Sequence, residues 1–442
     1  MSNTVLIIDG GARGHALSRA YEKSRHVQRI IVAPGNDFIA FRRTKEVIVD
    51  RNCNLNDPQS LLKIAQIYNP DLIDVAQDDA LASGTVDLLK EHGFKVFGPT
   101  REAARIEWDK NWSKEFMKRH DIPTAEFMSF TSEAPAIEYV TSHYRKYPST
   151  VLFIKATGLC AGKGALRATS LDEAISCIKQ MKTFGTAGET FLIEEGLFGK
   201  EFSSYAISDG TSYKVFHPAQ DHKRVNTFDT GDQTGGMGAV SPTCIATPYS
   251  SLIEETMIKR TIKGMETEGI PYTGILYIGG IVVNGKPYVI EFNARWGDPE
   301  CHVVLPSIDT DYFELITAAL DKRLDNIDLQ INSKQRVCVV GALRGYPGES
   351  STYKGSRIFG LVEAMDIPGV HVLGAGMSLK AESFVANGGR LFSIVGEGES
   401  ITEARQNAYA AISTVHIEGN NLHYRTDIGW NDVEAYYHNN IS

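Results

Sequence analysis

Short apolar runs alternate with amphipathic segments along the first hundred residues. The apolar, β-branched runs predict strands at residues 5–9, 29–34, 71–76 and 95–98. The segments between them carry apolar residues at helical spacing and predict helices at residues 15–24, 58–68 and 80–93. Strands and helices in this alternation form a mostly parallel, doubly wound α/β sheet, with ligands at the carboxyl ends of its strands.

The remainder of the chain follows an α+β pattern. A helical pattern over residues 102–120 ends before Pro123, since a proline disfavours helical geometry in the residue before it. A helix at residues 171–181 begins with a capping box formed by Ser170 and Glu173. Further strands are predicted at 151–156, 191–195, 201–208, 277–283, 287–293 (joined to the preceding strand by an Asn-Gly hairpin turn) and 336–343, and a last helix at 401–413.

The length of 442 residues predicts about three domains, at roughly 150 residues per domain. The change of pattern divides the chain into an amino-terminal α/β domain at residues 1–102, a central α+β domain at 103–327 and a small carboxy-terminal α+β domain at 328–442. Within the central domain, residues 124–195 are expected to form a separate subdomain.

Composition narrows the class of protein. The 45 basic and 54 acidic residues give a formal charge of −9, which argues against a protein that coats nucleic acid. No apolar run reaches the roughly 18 residues of a membrane span, and the first residues lack the pattern of a secretory signal. The six cysteines are scattered and form no CxxC pair, as is typical of a reducing compartment. We therefore expect a cytoplasmic enzyme that binds neither nucleic acid nor a membrane.

A glycine-rich segment follows the strand at 151–156. Gly158, Gly162 and Gly164 surround Lys163, and such glycines let backbone N–H groups approach phosphate oxygens closely. The spacing differs from a Walker A motif, and an apolar segment follows in place of a helix. The segment therefore predicts a hairpin that closes over a triphosphate; a flexible hairpin without a ligand is the alternative.

A carboxylate and an amide alternate near the end of the strand at 287–293. Glu291, Asn293 and Arg295 share one face if the strand continues, while Ile290 and Phe292 face the core. Carboxylate and amide oxygens suit Mg²⁺, and an arginine beside them can bind a carboxylate or phosphate. The pattern favours a metal site over a solvated strand face, which stays open as the alternative.

Residues 220–242 form a polar connector that is rich in glycine and lacks apolar periodicity. Long loops of this kind inside compact domains are usually lids or binding loops. We predict an unstructured binding loop, with a surface linker as the alternative.

These three segments together resemble the phosphoribosylamine–glycine ligase family of ATP-grasp enzymes of purine biosynthesis. The most specific matches are GLCAGKG (158–164), QDHKR (220–224) followed by TGGMGAVSP (234–242), and EFNARWGDPE (291–300). Weaker matches follow in order at APGN (33–36), FGPT (97–100), RHDIPTAE (119–126), NGGR (387–390) and RTDIGW (425–430). The resemblance implies an amino-terminal substrate-binding domain, a central ATP-grasp domain whose flap is the subdomain at 124–195, and a carboxy-terminal domain.

The resemblance also implies roles for individual residues. The ATP-binding residues would be Lys110, Lys155, Gly162, Lys163, Gly164, Glu194, Glu195 and Glu201. Glu291 and Asn293 would bind Mg²⁺, or Mn²⁺ in its place. The substrate-binding residues would be Gly11, Arg13, His15, Pro34, Gly35, Asn36, Asp221, Lys223, Arg224, Gly235, Gly236, Met237, Gly238, Arg295 and Asp298. Lys163, Arg295 and Asp298 would act in catalysis.

The chemistry that the family implies needs no covalent enzyme nucleophile. The carboxylate of glycine attacks the γ-phosphate of ATP, and the amine of 5-phosphoribosylamine then attacks the resulting glycyl phosphate. Catalysis consists of positioning, charge neutralisation and exclusion of water. The partners are therefore small molecules, and the chain is expected to be a monomer or a homodimer.

The sequence departs from the family pattern in two loops of the amino-terminal domain. The family reads Arg-Glu-His where this chain has Arg13-Gly14-His15, and Gly-Pro-Glu where it has Ala76-Gln77-Asp78. Thr157 and Trp108-Asp109-Lys110 also depart from it. The first two loops, at residues 13–15 and 76–78, belong to the part expected to recognise phosphoribosylamine, so an ATP-grasp ligase with a different amine acceptor stays an alternative.

Two further alternatives come from other classes of protein. A dinucleotide-dependent oxidoreductase would explain the first strand and loop, but Asp9 occupies the first glycine position of GxGxxG and no acidic residue ends the second strand. A nucleotide-binding regulatory protein without catalysis is disfavoured because Lys163, Glu291 and Asn293 are all present.

Overall fold

The computed structural model describes residues 3–158, 160 and 164–441, and its amino-terminal part is a parallel sheet. The strands are β1 (Asn3–Asp9), β2 (Val27–Pro34), β3 (Glu46–Val49), β4 (Leu72–Val75) and β5 (Val96–Phe97). The helices are α1 (Ala12–Lys23), α2 (Pro58–Tyr68), α3 (Asp78–Ala82) and α4 (Thr85–Glu91). The order β3-β2-β1-β4-β5, with every pair parallel, confirms the predicted doubly wound sheet. The carboxyl ends of β1 and β4 lie side by side in this order.

Two details of this domain differ from the prediction. The helix predicted over residues 80–93 is interrupted at Gly84, whose φ of +87° is a left-handed conformation that glycine adopts without strain. The edge strand β3 was not predicted, because its apolar run covers only residues 47–49 and is too short to give a clear pattern.

The segment that leads into the central domain is also two helices, α5 (Arg105–Trp108) and α6 (Lys110–Arg119). Asp109 separates them in an extended conformation, and its carboxylate accepts a hydrogen bond from the Trp112 N–H at 3.0 Å. The side chain thereby caps α6, so the continuous helix predicted over residues 102–120 is wrong at this position.

The first sheet of the central domain, called the flap sheet below, is antiparallel. It contains β6 (Phe127–Phe130), β7 (Leu152–Ala156), β8 (Ala165–Ala168) and β9 (Phe191–Glu195) in the order β6-β9-β7-β8. The helices α7 (Glu133–Lys146) and α8 (Leu171–Gln180) accompany it. The glycine-rich segment joins β7 to β8, which pair antiparallel from Lys155–Ala165 to Leu152–Ala168. The predicted strand-loop-strand arrangement is therefore present, although Leu159 and residues 161–163 lie outside the described residues.

The second central sheet carries the predicted hairpin. The strands that follow the flap sheet are β10 (Lys200–Asp209), β11 (Tyr213–Val215), β12 (Gln220–Asp221), β13 (Arg224–Asn226), β14 (Thr230–Gln233), β15 (Gly238–Ser241), β16 (Thr273–Val283) and β17 (Lys286–Asn293). The helices are α9 (Ser250–Ile253), α10 (Lys259–Thr267), α11 (Cys301–Val304) and α12 (Tyr312–Leu320). The sheet order is β11-β10-β16-β17, and the turn between β16 and β17 has positive φ at Asn284 and Gly285, as the Asn-Gly pair predicts.

The carboxy-terminal part adds a sheet that crosses the predicted boundary at residues 327 and 328. Its strands are β18 (Gln335–Leu343), β19 (Ile358–Phe359), β20 (Val370–Gly374), β21 (Met377–Lys380), β22 (Ser383–Ala386), β23 (Arg390–Gly398), β24 (His416–Ile417) and β25 (Leu422–His423). The helices are α13 (Leu361–Met365), α14 (Ile401–Ile412) and α15 (Trp430–Ile441). The third sheet has the order β12-β15-β18-β23-β20, with β25 also paired to β18.

The connector at 220–242 was predicted to be an unstructured loop, and this is corrected by the structure. It contains β12 to β15, and β15 pairs antiparallel with β18. Gly238 permits this pairing, since a Cβ at that position would lie 2.5 Å from the Cys338 carbonyl oxygen. The connector thus joins the central domain to the carboxy-terminal sheet.

One continuous core joins the three parts of the chain. It includes Leu17 of α1, Leu315 of α12, Val340 of β18 and Val395 of β23, each fully buried. Among the described residues, no helix combines the length and apolarity that a membrane crossing requires.

Candidate active site

The segment formed by α5 and α6 links the flap sheet to β17. The Glu107 carboxylate accepts a hydrogen bond from the Ala294 N–H at 2.8 Å, just after β17. The Lys110 N–H donates to the Thr157 carbonyl at 3.0 Å, just after β7. The sequence-predicted groups of β17 and of the flap sheet are therefore held by one short stretch of chain.

A buried carboxylate and two lysines mark the flap side of this arrangement. Lys155 donates to Glu194 Oε2 at 2.7 Å, and Lys114 Nζ lies 3.3 Å from the same oxygen. Burial alone would raise the pKa of Glu194, but the two lysines outweigh it and lower that pKa. Burial lowers the pKa of Lys114 to about 8. Lys155 and Glu194, which the resemblance assigned to different parts of ATP, are thus in contact with each other.

Lys114 was missed by the sequence analysis. It is 3% exposed and also donates to Thr124 Oγ1 at 2.7 Å. The available signal was its position one turn after Lys110 in α6, which places both lysines on the same side of the helix.

Glu291 and Asn293 lie on one face at the end of β17, as predicted. Glu291 pairs with Gly279 and Asn293 with Tyr277, while Ile290 is an extra residue at a register shift. Glu291 is exposed and makes no hydrogen bond or ion pair with any residue that the structure describes. Asn293 is 7% exposed, and its Nδ2 has no hydrogen-bond partner among the same residues. A hard divalent cation would bind the Glu291 carboxylate and the Asn293 amide oxygen, since the amide nitrogen is a donor and not a ligand.

Two arginines converge on the carbonyl of Trp296. Arg13 Nη1 donates to this oxygen at 3.1 Å and Arg295 Nη1 at 3.4 Å. Arg295 also forms an ion pair with Glu107 at 2.8 Å. Burial lowers the pKa of Arg295, but Glu107 and Asp78 outweigh it and raise that pKa. The pair joins the amino-terminal sheet to the end of β17.

Asp298 forms a second charged group beside this pair. Arg390 Nη2 lies 3.2 Å from Asp298 Oδ1, and His302 Nε2 lies 3.8 Å from the same oxygen. Burial would raise the pKa of Asp298, but Arg390, His302 and Arg13 outweigh it and lower the pKa to about 2. Asp298 therefore stays ionised at neutral pH. Arg390 had no predicted role, although it ends the NGGR stretch that contributed to the family resemblance.

A third polar group surrounds the predicted residues Asp221 and Lys223. Lys223 donates to Asp221 Oδ2 at 3.0 Å, whereas the buried Asp221 Oδ1 has no partner among the described residues. Burial raises the pKa of Asp221 to about 7, which Lys223 only partly offsets. Glu300, which accepts from Tyr277 at 2.6 Å and from Ser203 at 2.9 Å, contributes further negative charge. The sequence analysis gave Glu300 and Tyr277 no role. Tyr277 lies in an apolar strand and Glu300 follows a proline, and neither position carries a signal that separates it from its neighbours.

Comparison with known proteins agrees with this geometry. Residues 3–107, 108–301 and 336–431 match, in that order, the N domain, the ATP-grasp (A) domain and the C domain of phosphoribosylglycinamide synthetase. Phosphoribosylamine–glycine ligase from Chlorobaculum tepidum is 39% identical over 429 residues, which cover 96% of this chain and 99% of that protein. The chain belongs to the phosphoribosylglycinamide synthetase family.

Other members of the family extend the comparison. The crystal structure of phosphoribosylamine–glycine ligase from Thermotoga maritima has a TM-score of 0.79 and 30% identity, and covers 96% of this chain and 99% of that one. The trifunctional purine biosynthetic protein adenosine-3 from Gallus gallus is 39% identical over 439 residues, but these are only 42% of its length. The chain thus spans less than half of that protein. The predicted family and fold are confirmed, and the ATP-grasp domain implies binding of ATP with a divalent cation.

Several residues that the family resemblance assigned to substrate make hydrogen bonds within the protein, and their substrate roles stay predictions. His15 accepts a hydrogen bond from the Gly374 N–H at 2.9 Å, and Asn36 donates to the Gly374 carbonyl at 2.8 Å. Both side chains are buried and tie the amino-terminal domain to β20. Met237 is fully buried, and its N–H and carbonyl bond to His222 and Val340. The polar groups of these residues therefore form hydrogen bonds that hold the domains of the protein together.

Arg224 is held on its own hairpin. It is exposed and donates to the Gly231 carbonyl at 2.9 Å, so the structure does not bring its guanidinium to the other predicted residues. Gly238 lies within β15 and serves the strand pairing described above.

Three of the predicted glycines lie close to the charged groups of Asp298 and Asp221. A Cβ on Gly11 would lie 3.4 Å from Asp298 Oδ2, and one on Gly236 would lie 2.7 Å from Asp221 Oδ1. The Gly235 carbonyl accepts from Arg390 at 2.8 Å. These three glycines therefore lie beside the charged groups, and their role in substrate binding stays a prediction.

The remaining assignments stay predictions. Pro34 follows a cis peptide bond at the end of β2, and the Gly35 N–H donates to the Asp9 carbonyl at 3.0 Å. Glu195 and Glu201 are exposed on β9 and β10. A Cβ on Gly164 would lie 2.8 Å from Cys160 Cβ. Gly162 and Lys163 lie outside the described residues.

Proposed function

We propose that this chain is an ATP-dependent ligase that joins glycine to 5-phosphoribosylamine. The products are glycinamide ribonucleotide, ADP and phosphate. The observation that carries the proposal is the convergence of Arg13 and Arg295 on the Trp296 carbonyl. The pair places two guanidinium groups, each held by a carboxylate, where α1 meets the strand that ends in Glu291 and Asn293. A ligase for two anionic substrates needs such charge between its substrate domain and its metal site.

The nucleotide is proposed to bind between the flap sheet and β17. Lys155 and Lys110, with Lys163 of the flap, bind the phosphates of ATP. Glu194 and Glu195 hold adenine and Glu201 holds the ribose. In support, Lys155 and Glu194 form a buried pair, and the Lys110 backbone is fixed to Thr157 at the base of the flap.

The first step activates glycine. A carboxylate oxygen of glycine attacks the γ-phosphorus of ATP, the bond to the β-phosphate oxygen breaks, and ADP leaves. Arg295 is the residue proposed to orient the carboxylate, since Glu107 holds its guanidinium in place at 2.8 Å.

The second step forms the amide. The amine of phosphoribosylamine attacks the carbonyl carbon of glycyl phosphate, the carbon–oxygen bond to phosphate breaks, and the proton that the amine loses passes to the departing phosphate. Asp298 is ionised at neutral pH because Arg390 lowers its pKa. We assign it to bind the substrate at this step, beside Gly11 and Arg13.

Glu291 and Asn293 would hold the divalent cation, proposed to be Mg²⁺ with Mn²⁺ as a substitute. When bound, the cation neutralises phosphate charge during phosphoryl transfer. The cytoplasmic location and the monomeric or homodimeric state expected from the sequence stay predictions.

The proposed function is tested by measuring phosphate release. Purified protein with ATP, Mg²⁺ and glycine is mixed with freshly prepared phosphoribosylamine, and glycinamide ribonucleotide is identified by mass spectrometry. Reactions without glycine, and reactions with ribose 5-phosphate in place of the amine, are the matched controls. We expect phosphate release only in the complete mixture.

The result that overturns the proposal is release with another amine and none with phosphoribosylamine. That outcome would identify an ATP-grasp ligase with a different acceptor. Release without any amine would instead indicate hydrolysis of ATP.

A further inference from the structure

Asp9 is a fully buried carboxylate at the end of β1, and it uses both of its oxygens. Oδ1 accepts hydrogen bonds from the Gly11 N–H at 2.7 Å and from the Gly14 N–H at 2.9 Å. Oδ2 accepts from Arg13 Nε at 2.7 Å and lies 2.7 Å from Arg13 Nη2. The carboxylate is therefore fixed to the first turn of α1 and to one arginine.

These contacts determine the orientation of Arg13. Its remaining nitrogen, Nη1, donates to the Trp296 carbonyl at 3.1 Å, and Nη2 also contacts the Gln77 side chain. Burial would lower the pKa of Arg13, but Asp9, Asp78 and Asp298 together outweigh it and raise that pKa. Arg13 is only 6% exposed, so its guanidinium is held by the protein before any substrate binds.

The side chain of Asp9 leaves little space for a side chain at position 14. A Cβ on Gly14 would lie 3.0 Å from both Asp9 Cβ and Asp9 Oδ1, and 3.3 Å from Val32 Cγ1. The backbone of Gly14 has no left-handed φ, so the preference for glycine here comes from crowding and not from conformation. The aspartate at position 9 and the glycine at position 14 therefore depend on each other.

We propose that Asp9 is the positioning residue for Arg13 in recognition of the amine acceptor. This inference rests on the proposed function. The proposal explains why this chain departs from its family in the loop at residues 13–15. The family has a glutamate directly after the arginine, whereas this chain has Gly14 there and supplies the carboxylate from Asp9 at the end of β1. Gln77, in the second departing loop, contacts the same guanidinium. The two departures thus belong to one arrangement around Arg13.

The first test is a double-mutant cycle with Asp9→Asn and Arg13→Gln. Asparagine keeps the shape and an oxygen for the Gly11 and Gly14 N–H groups, but it turns an amide toward Arg13. We expect Asp9→Asn to raise the KM for the acceptor at least about tenfold and to leave the KM values for ATP and glycine within about twofold. In the Arg13→Gln background, Asp9→Asn should cause no further rise. Equal changes in all three KM values, or a full effect of Asp9→Asn without Arg13, would overturn the inference.

The second test exchanges the two positions. Gly14→Glu alone should abolish activity or folding, because its side chain collides with Asp9. The double variant Asp9→Gly with Gly14→Glu should restore the acceptor KM to within about threefold of the wild type, since the collision is removed and a carboxylate returns beside Arg13. Failure of the double variant to improve on Gly14→Glu would contradict the dependence between the two positions.

The wild-type amine assay separates the two proposals. The assay establishes which amine the wild type accepts, and the double-mutant cycle is then measured with that amine. If the accepted amine is not phosphoribosylamine, the proposed function is refuted, while the role of Asp9 is still tested by the cycle. A crystal structure of Asp9→Asn supplies a readout that needs no activity. We expect Arg13 Nη1 to leave the Trp296 carbonyl; if the contact persists, Asp9 does not position Arg13.

Discussion

The charged side chains of the candidate site are of two kinds: those that form ion pairs within the protein and those that form none with the described residues. Asp9, Glu107 and Glu194 are buried, and each is paired with an arginine or lysine. A buried carboxylate needs such a partner, since removing one member leaves an uncompensated charge. Glu291 is the contrast, because it is exposed and makes no hydrogen bond or ion pair within the described part of the chain. Its replacement should therefore affect ligand binding and not folding.

Glu291→Ala should lower the rate of phosphate release by at least about 100-fold, because a charged oxygen ligand of the proposed cation is lost. The free energy of unfolding should change by less than about 0.5 kcal/mol, as for other exposed positions. Steady-state phosphate release and urea unfolding measure the two effects. Glu138→Ala, at an exposed carboxylate of α7, is the control and should leave both unchanged.

At the scale of single elements, local capping decides where helices begin. Ser170 accepts a hydrogen bond from the Glu173 N–H at 3.3 Å and caps α8, and Asp109 caps α6 in the same way. Ser132 precedes α7 in an extended conformation, but its side chain makes no capping hydrogen bond. The two serines start neighbouring helices of the flap subdomain and provide a matched pair.

Ser170→Ala should destabilise the flap subdomain by about 1 kcal/mol, which is the usual contribution of an N-cap hydrogen bond. Ser132→Ala should cost only a few tenths of a kcal/mol, because no bond is lost. Hydrogen exchange of α8 and α7 amides measures both effects. An equal loss in the two variants would show that the Ser170 hydrogen bond does not stabilise α8.

Contacts across the whole molecule depend on two buried histidines. His15 accepts a hydrogen bond from Gly374, and His222 accepts one from the Gly429 N–H at 3.2 Å. Burial is the largest cause that lowers the pKa of both, to about 4 for His222. Each histidine is therefore neutral where it joins an earlier part of the chain to the carboxy-terminal domain.

Acid should weaken these connections. Below pH 6.5 the unfolded chain takes up a proton at His222, whereas the folded protein does so only near pH 4. Stability from the neutral histidine is complete above pH 6.5 and falls by about 1.4 kcal/mol per pH unit between pH 6.5 and about 4.

His222→Gln tests this effect, because glutamine does not titrate. Between pH 7.5 and 5.5 the wild type should lose about 1.4 kcal/mol more unfolding free energy than the variant, measured by urea titration of the transition that contains the third sheet. Between pH 8 and 7 the two proteins should have the same pH dependence. A wild type and a variant that respond equally to acid would contradict the assignment.

Local signals in the sequence determined most of the elements. The apolar runs predicted β1, β2 and β4, and the Asn-Gly turn predicted the hairpin of β16 and β17, because side-chain periodicity and turn chemistry act over a few residues. The motifs also predicted the family, whereas the ion pair between Lys155 and Glu194 became visible only in the structure. Breaks such as Gly84 and Asp109 were missed, since an interruption of one residue leaves the apolar periodicity almost unchanged.

Only the tertiary structure decided which residues meet across long separations. The sequence placed Arg13 and His15 in one loop and implied the same role for both, but Arg13 contacts Trp296 and His15 contacts Gly374. The connector at residues 220–242 was predicted to be unstructured because part of its pairing is with a distant segment. Its strand β15 pairs with β18 of the carboxy-terminal domain. Such contacts depend on how three domains pack, and no periodicity within one segment records that packing.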